Sequence, residues 1–288
     1  MKKPLVSVLM TAYNREDYIA EAIESVLAQT MQGLELVIVD DGSTDHTVDI
    51  ARRYTDDPRV RLHFNEKNLG DYPNRNRAAE LAVGRYLKYL DADDLIYPHA
   101  LAVMVEAMEK WPIAALGLSW NVTDPPQPYP FISSPAAVYR AHYLGRSFLG
   151  VGPSAAILRR DAFEAVGGFT GRQFIGDSEL WLKLAARWPL LSLPPALIWW
   201  RRHEGQQMSI EQTRPEVLTI RYRLECEMLE STTLLAPAEI GLALARLHHR
   251  HGRKLLSFGI RNRRLLTACR LWKDAGLSWG DLFRALQR

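Results

Sequence analysis

The sequence contains only two cysteines, Cys226 and Cys269, and this scarcity excludes several protein classes. Two cysteines form neither a disulfide framework nor a metal-binding pattern, so we expect a reducing, cytoplasmic setting. No apolar run reaches the roughly 18 residues of a membrane-spanning helix. The basic start Met1–Lys3 is followed by no small-residue cleavage site, which favours a first strand over a signal peptide.

Two nucleotide-binding signatures are missing as well. No Gly-x-Gly-x-x-Gly follows the first predicted strand, and no Gly-x-x-x-x-Gly-Lys-Ser/Thr occurs anywhere. Their absence argues against a dinucleotide fold and a P-loop. The net charge of +3 is too small to indicate nucleic acid binding by itself. A length of 288 residues predicts one large domain, or one domain with an extension.

The first hundred residues alternate between apolar runs and helical spacing. Buried strands are predicted at Leu5–Thr11, Leu34–Val39, Val60–Phe64 and Tyr86–Leu90. Helices are predicted at Tyr18–Leu27, from a cap at Ser43 or Thr44 to about Tyr54, and at Arg75–Val83. This alternation predicts an α/β fold with a mostly parallel sheet flanked by helices.

The middle of the chain is less regular. Strands are predicted at Ala114–Trp120, Ser154–Arg159 and Leu190–Trp200, and helices at Pro98–Trp111, after a cap at Asp161, and from Gly176. Residues 121–152 are rich in Pro, Gly, Tyr and Ser and are interpreted as one long loop. Long loops in compact domains are often functional, so we expect it to contact an acceptor or to act as a mobile lid.

The composition changes near Gln212 to a Leu-, Ala- and Arg-rich texture without strand patterns. We predict a first domain over residues 1–210 and an all-helical, basic extension over 211–288, with breaks near Pro237, Gly252, Gly259 and Gly276. Residues 246–288 hold eleven Lys or Arg and two acids. The extension is predicted either to bind an anionic membrane surface, or to pack on the core, or to form a homodimer.

Polar clusters follow three of the predicted strands, at residues 11–15, 40–43 and 91–94. Ligands of such sheets lie outside the carboxyl ends of the strands. Asp91 and Asp93 are spaced i, i+2, so a regular strand would direct both toward one face. Oxygen ligands suit Mg²⁺ or Mn²⁺ carrying phosphates, provided that something positive meets the desolvated carboxylates. The alternative is a solvated turn in which Asp94 caps the next helix.

Several segments occur in an order that resembles the family 2 inverting glycosyltransferases of the GT-A fold. These are Val6–Asn14, Ser25–Thr30, Val39–Asp45, Asn68–Gly70, Arg75–Asn76, Asp91–Asp94, Gly167–Phe169, Gly176–Asp177 and Arg201–His203. The resemblance covers about residues 4 to 210. It implies a nucleotide-diphosphate-sugar donor, with UDP-sugars favoured, a divalent metal (Mn²⁺ or Mg²⁺), and transfer with inversion to a glycan or lipid-linked acceptor in cell-envelope or exopolysaccharide synthesis.

The resemblance also implies roles for individual residues. The nucleotide sugar is expected to contact Thr11, Ala12, Tyr13, Arg15, Asp40, Asp41, Arg75, Asp91, Ala92 and Arg202. The metal is expected at Asp93, Asp91 and His203, and the general base at Asp177 with Glu179 as its substitute. The family more often has Glu-Asp where this chain has Gly176-Asp177.

Each role has a plainer alternative. Asp40 and Asp41 suit a simple turn, Arg75 a surface helix, His203 a surface position and Asp177 a helix cap. At the level of the whole protein, the alternatives are a sugar-nucleotide-binding protein without catalysis and a nucleic-acid-binding protein that uses the basic C-terminus. The second is disfavoured because no recognised binding motif is present, so no nucleic acid partner is expected. The membrane alternative implies a peripheral location at the inner face of the plasma membrane.

Overall fold

The computed structural model describes residues 3–120, 125, 127–147, 149–203, 214, 216–278 and 280–281. The chain divides into two compact units. One comprises Met1–Val138 with Phe148–Arg201, and the other Tyr139–Ser147 with Arg202–Arg288. The predicted boundary at residue 210 lies outside the described residues, so that division stays a prediction.

All strands in the described part of the chain belong to the first unit. They are β1 (Val6–Ala12), β2 (Leu34–Asp40), β3 (Val60–Phe64), β4 (Tyr86–Tyr89), β5 (Leu95–Ile96), β6 (Leu116–Ser119), β7 (Phe131–Ser133), β8 (Ala156–Arg159), β9 (Leu190–Leu193) and β10 (Ile198–Trp199). The helices up to the last strand are α1 (Ile19–Leu27), α2 (Thr47–Arg52), α3 (Asp71–Leu81), α4 (Ala100–Lys110), α5 (Pro135–Leu144), α6 (Arg160–Ala165) and α7 (Gly176–Arg187).

Eight strands form one sheet in the order β3-β2-β1-β4-β8-β6-β9-β7. The four strands from β3 to β4 are parallel, and β6 is parallel to β9. Strands β7 and β8 run antiparallel to their neighbours, and β5 pairs with β10 in a separate two-stranded ribbon. The predicted mostly parallel sheet is therefore confirmed.

Alternating residues of β1 supply both faces of the sheet. Val6, Val8 and Met10 are fully buried in one apolar cluster with residues of α1 and α4. The opposite face is covered by α3, which packs against β1 and β2. Because helices cover both faces, the strands read as almost continuous apolar runs, which explains why the sequence predicted them well.

The starts of helices α2 and α3 differ from the prediction for identifiable reasons. Helix α2 begins at Thr47, because the backbone N–H and the hydroxyl of Ser43 both donate to the carboxylate of Asp40 instead of capping a helix. Helix α3 begins at Asp71 and therefore includes Pro73 in its first turn. A proline is tolerated there because the first helical N–H groups have no intrahelical partner.

The expectation of one long loop over residues 121–152 is wrong in its middle. Strand β7 and helix α5 occupy part of this segment, and strand β7 extends the sheet edge through pairing with β9. Residues 121–124, 126 and 148 lie outside the described part of the chain. The predicted acceptor contact or lid in this segment stays a prediction.

The second unit contains three further described helices, α8 (Glu216–Glu230), α9 (Pro237–Arg261) and α10 (Leu265–Asp274). The predicted break near Gly252 is wrong, because α9 continues through it. The breaks predicted near Pro237, Gly259 and Gly276 correspond to the start of α9, its end at Arg261 and the end of α10 at Asp274. A Cβ atom on Gly259 would lie 2.8 Å from the Cβ of Ala268, so this glycine permits close packing of α10. None of the described helices combines the length and apolar character needed to cross a bilayer.

A buried carboxylate ties the parallel strands together. The Glu35 side chain in β2 accepts hydrogen bonds from the Ser7 hydroxyl (2.6 Å), the Val83 N–H (2.7 Å) and Arg61 (2.9 Å). The Ser7 oxygen in turn accepts from the Gly84 N–H at 2.8 Å. Burial raises the pKa of Glu35, but the bonds from Ser7, Val83 and Arg61 outweigh it and lower the pKa below its ordinary value.

We expect Glu35→Gln to destabilise the protein by about 1–3 kcal/mol at neutral pH, because charged hydrogen bonds are lost. The folded-state pKa lies below the unfolded one, so this stabilisation is present above about pH 4.3 and is lost as the pH falls through the folded pKa. Urea denaturation across pH measures the effect. The control is Glu80→Gln, which removes an exposed carboxylate that pairs with Arg77. Equal losses in both variants at pH 7 would contradict the prediction.

Candidate active site

The three predicted polar clusters meet at the carboxyl ends of the parallel strands. In the parallel register, Ala12 lies opposite Asp40 and Leu9 opposite Tyr89, so the segments after β1, β2 and β4 are neighbours. The Arg15 guanidinium after β1 contacts the Asp93 carboxylate after β4, with 3.0 Å between Nε and Oδ2. A continuous polar surface therefore lies at the carboxyl ends of the strands, where α/β folds bind ligands.

The loops after β1 and β2 are fastened to each other. The Asn14 N–H donates to the Ser43 hydroxyl at 2.9 Å, and the Asn14 side-chain oxygen accepts from the Thr44 N–H at 2.9 Å. Thr11 is half-buried and Ala12 is buried, whereas Tyr13 is 46% exposed. These residues lie on the predicted surface, and their contacts with a nucleotide stay predictions.

Asp40 and Asp41 are both buried and bonded within the protein. The Asp40 carboxylate accepts from the N–H groups of Gly42 and Ser43. The Asp41 carboxylate accepts from Asn65 at 2.7 Å and from the Leu69 and Gly70 N–H groups at 2.9 Å. The turn contacts of the plainer alternative are thus present, and any additional contact with a nucleobase stays a prediction.

Arg75 is a buried member of the site, 6% exposed, so the alternative of a surface helix arginine is wrong. Its guanidinium lies 2.8 Å from the Asp71 carboxylate and 2.8 Å from that of Asp91, and it covers the Tyr89 ring. Burial lowers the pKa of Arg75, but Asp71 and Asp91 outweigh this and raise it. The positive charge that the buried acidic stretch requires is therefore supplied from α3.

The acidic stretch forms a turn after β4, and we call residues 91–94 the carboxylate turn. The Asp94 N–H donates to the Asp91 carbonyl at 3.0 Å, and β4 has already ended at Tyr89. The prediction that Asp91 and Asp93 share one strand face is therefore wrong. The turn nevertheless gathers carboxylate oxygens of Asp91, Asp93 and Asp94 within 4.8 Å of one another.

Asp94 belongs to this cluster and does not cap the next helix. Its carboxylate accepts from the Arg201 N–H at 3.2 Å and from the Ser154 hydroxyl. Burial and the neighbouring Asp91 charge raise the pKa of Asp94. Three crowded oxygen ligands with excess negative charge fit a hard divalent cation such as Mg²⁺ or Mn²⁺. The residues present thus fit the metal that the resemblance implies.

Lys88 and Ser154 stabilise the segments next to the carboxylate turn, and neither role was predicted from the sequence. The Lys88 ammonium is fully buried and donates to the carbonyls of Tyr89 and Ser154. The Ser154 hydroxyl accepts from the Asp91 N–H at 3.0 Å. Burial lowers the pKa of Lys88 to about 7 against the opposing effect of Asp91 and Asp94. The sequence feature that could have indicated the role of Lys88 is the presence of a lysine inside an otherwise apolar strand.

Asp177 lies in the first turn of α7, where its carboxylate accepts from the Ser178 N–H at 2.7 Å. The Tyr72 hydroxyl of α3 accepts a hydrogen bond from the Asp177 N–H. Burial raises the pKa of Tyr72, and the negative charge of Asp177 raises it further. A Cβ atom on Gly176 would lie 2.8 Å from the Tyr72 ring. The glycine in place of the usual glutamate thus provides the room that the tyrosine ring fills.

Glu179 is poorly placed as a substitute base. It is buried, its carboxylate lies 3.0 Å from the Lys183 ammonium, and it accepts from the Thr170 hydroxyl. Arg202 and His203 belong to the second unit, so their expected contacts with the diphosphate and metal stay predictions. Arg201 holds the carboxylate turn through its N–H on Asp94 and its Nε on the Asp93 carbonyl at 3.0 Å.

Comparison with known proteins decides the family. The sequence model described as "Glycosyl transferase family 2" matches residues 7–167, more than half of the chain. The chain belongs to glycosyl transferase family 2. It is 42% identical over 108 residues to the chondroitin synthase of Escherichia coli, a match that covers 37% of this chain and 16% of that enzyme. The chain spans less than half of the length of each of the first curated relatives that it matches.

Solved structures show the same fold at low sequence identity. TarS of Staphylococcus aureus in complex with UDP-GlcNAc has a TM-score of 0.75 at 23% identity, covering 98% of this chain and 81% of that one. The mannosyltransferase PcManGT of Pyrobaculum calidifontis, solved with GDP-Man and Mn²⁺, has a TM-score of 0.62 at 20% identity, covering 99% and 86%. The predicted GT-A fold of this family is thereby confirmed.

We expect Ser154→Ala to destabilise the protein by about 1–3 kcal/mol, because the Asp91 N–H and the Asp94 carboxylate both lose a buried partner. The matched control is Ser119→Ala, a buried serine at the end of β6 whose hydroxyl donates to the Pro194 carbonyl. Urea denaturation of both variants measures the difference. An equal or larger loss for Ser119→Ala would show that Ser154 does not support the carboxylate turn.

Proposed function

We propose that the protein is a glycosyltransferase that moves a sugar from a nucleotide-diphosphate sugar to an acceptor hydroxyl with inversion. Family membership supports the reaction class. The observation that carries the proposal is a continuous set of contacts through α3, which connects a helix-terminal carboxylate to the carboxylate turn. It runs from Asp177 to Tyr72, and from Asp71 through Arg75 to Asp91.

The nucleotide side of the reaction is assigned to the carboxyl ends of the parallel strands. Tyr13 offers an exposed ring, and Arg15 and Arg75 are cations beside the carboxylate turn. Asp91 and Asp93 would hold Mn²⁺ or Mg²⁺. When bound there, the cation would neutralise charge on the nucleoside diphosphate as it departs.

Asp177 is assigned as the general base. The N-terminus of a helix favours a carboxylate in its anionic form, which is the form that accepts a proton. The acceptor hydroxyl would transfer its proton to Asp177 while its oxygen attacks the anomeric carbon, and the bond from that carbon to the diphosphate breaks. One attack from the face opposite the leaving group inverts the anomeric configuration.

UDP-sugars are the favoured donors. TarS, which shares the fold, was solved with UDP-GlcNAc and with UDP. GDP-mannose is the alternative donor, because PcManGT was solved with GDP-Man. The relationship to a chondroitin synthase supports a glycan acceptor and a role in polysaccharide synthesis.

We expect Asp177→Asn to lower the turnover number by about 10²- to 10⁴-fold while donor binding changes little, because only the proton acceptor is lost. Release of UDP from UDP-GlcNAc in Mn²⁺, with simple sugars or water as acceptor, measures turnover. NMR of any glycoside formed reports the anomeric configuration, which should be inverted.

Glu179→Gln serves as the comparison, since Glu179 is buried and paired with Lys183. The base assignment is wrong if Asp177→Asn keeps its turnover while a folded Glu179→Gln variant loses it. Retention of the anomeric configuration in the product would contradict the inverting mechanism.

A further inference from the structure

Helix α9 of the second unit has one buried face and one basic face. The buried face includes Leu247, His251 and Leu255. The basic face and α8 line an open groove of about 680 Å³, and we call it the basic groove. Its lining residues include Leu218, Arg250, Arg253, Lys254, Phe258 and Arg261. The groove thus combines cationic side chains with apolar ones.

The positive charge of the basic groove is only partly compensated. Arg250 pairs with Glu225 at 2.6 Å. Arg253, Lys254 and Arg261 form no ion pair within the part of the chain that the structure describes. Burial and the nearby Arg250 lower the pKa of Lys254, as expected where cations are crowded. An anionic ligand would relieve this repulsion.

Large apolar side chains are exposed directly beside these cations, where α9 turns into α10. Ile260 is 67% exposed, Leu265 60% and Leu266 89%. The turn is closed by a hydrogen bond from the Arg264 N–H to the Gly259 carbonyl at 2.9 Å. We call Ile260, Leu265 and Leu266 the apolar corner.

Ile260 of the apolar corner and Arg253 of the basic groove lie on the same side of α9. Ile260 follows Arg253 by seven residues, close to two full helical turns, so both side chains project in nearly the same direction. Arg261, Arg263 and Arg264 are also exposed and adjoin these apolar residues in the sequence. Exposed leucine and isoleucine flanked by arginine match the layering of a membrane interface, where lipid phosphates lie above the acyl chains.

We propose that the basic groove and the apolar corner dock the protein on an anionic membrane surface. Lipid phosphates occupy the groove, and Ile260, Leu265 and Leu266 enter the boundary between headgroups and acyl chains. A second copy of the chain is a poorer occupant, because a symmetric interface would bring the same unpaired cations against one another. A nucleic acid would leave the three apolar side chains in water.

Co-sedimentation of the full chain with vesicles tests the proposal. We expect binding to vesicles containing phosphatidylglycerol, weak binding to phosphatidylcholine alone, and release by added salt. Arg253→Gln/Lys254→Gln should weaken the partition coefficient by about fivefold for each cation removed. Leu265→Ser/Leu266→Ser should weaken it by about tenfold or more, because two apolar side chains no longer leave water.

Matched variants in the first unit control for charge and for apolar surface. Arg52→Gln/Arg77→Gln removes two exposed cations, and Phe64→Ser/Ile113→Ser removes two exposed apolar residues. Both controls should bind vesicles like the parent protein, and all variants should retain its circular dichroism spectrum. The proposal is overturned if the parent does not bind, if binding ignores salt, or if the corner variants bind unchanged. Self-association that the corner variants abolish would overturn it in favour of a dimer interface.

Discussion

The structure of the candidate site depends on one buried guanidinium. Arg75 lies between the carboxylates of Asp71 and Asp91, so a single cation on α3 compensates a helix-start acid and the first acid of the carboxylate turn. Removing one member of such a buried set leaves an uncompensated charge, which is strongly destabilising. The next residue after Asp71 is Tyr72, which meets Asp177, so the same helix also positions the proposed base. Helix α3 therefore links the two halves of the proposed reaction.

The remaining charges around the carboxylate turn follow the same logic. The Lys88 ammonium donates to the carbonyl of Ser154 beside the turn. Arg15 contacts Asp93, and the Arg201 N–H donates to Asp94. Each carboxylate therefore has a nearby cation or donor, which lets three acids lie close together at the end of a buried strand. The turn is thus preorganised by protein contacts and still presents oxygens suited to a divalent cation.

Much of this arrangement could be predicted from the sequence, because the strands are buried on both faces and their ends carry the polar clusters. Contacts distant in sequence could not. Helix α9 continues through Gly252, where the sequence predicted a break, because tertiary packing overrides the low helix propensity of one buried glycine. The packing of the Tyr72 ring against Gly176 explains why this chain has glycine where the family more often has glutamate. Lys88 was visible as a charge in an apolar run, but its partner Ser154 lies 66 residues away.

Calorimetric titration with UDP, GDP and dTDP, each with and without Mn²⁺, tests directly whether the carboxylate turn is the donor site. We expect one nucleotide, with UDP favoured, to bind in a Mn²⁺-dependent manner. Asp93→Asn should abolish this dependence, whereas Asp161→Asn, which changes an exposed acid paired with Arg159, should not. If no nucleotide binds in either condition, or if Asp93→Asn leaves the Mn²⁺ dependence intact, the carboxylate turn is not the donor site.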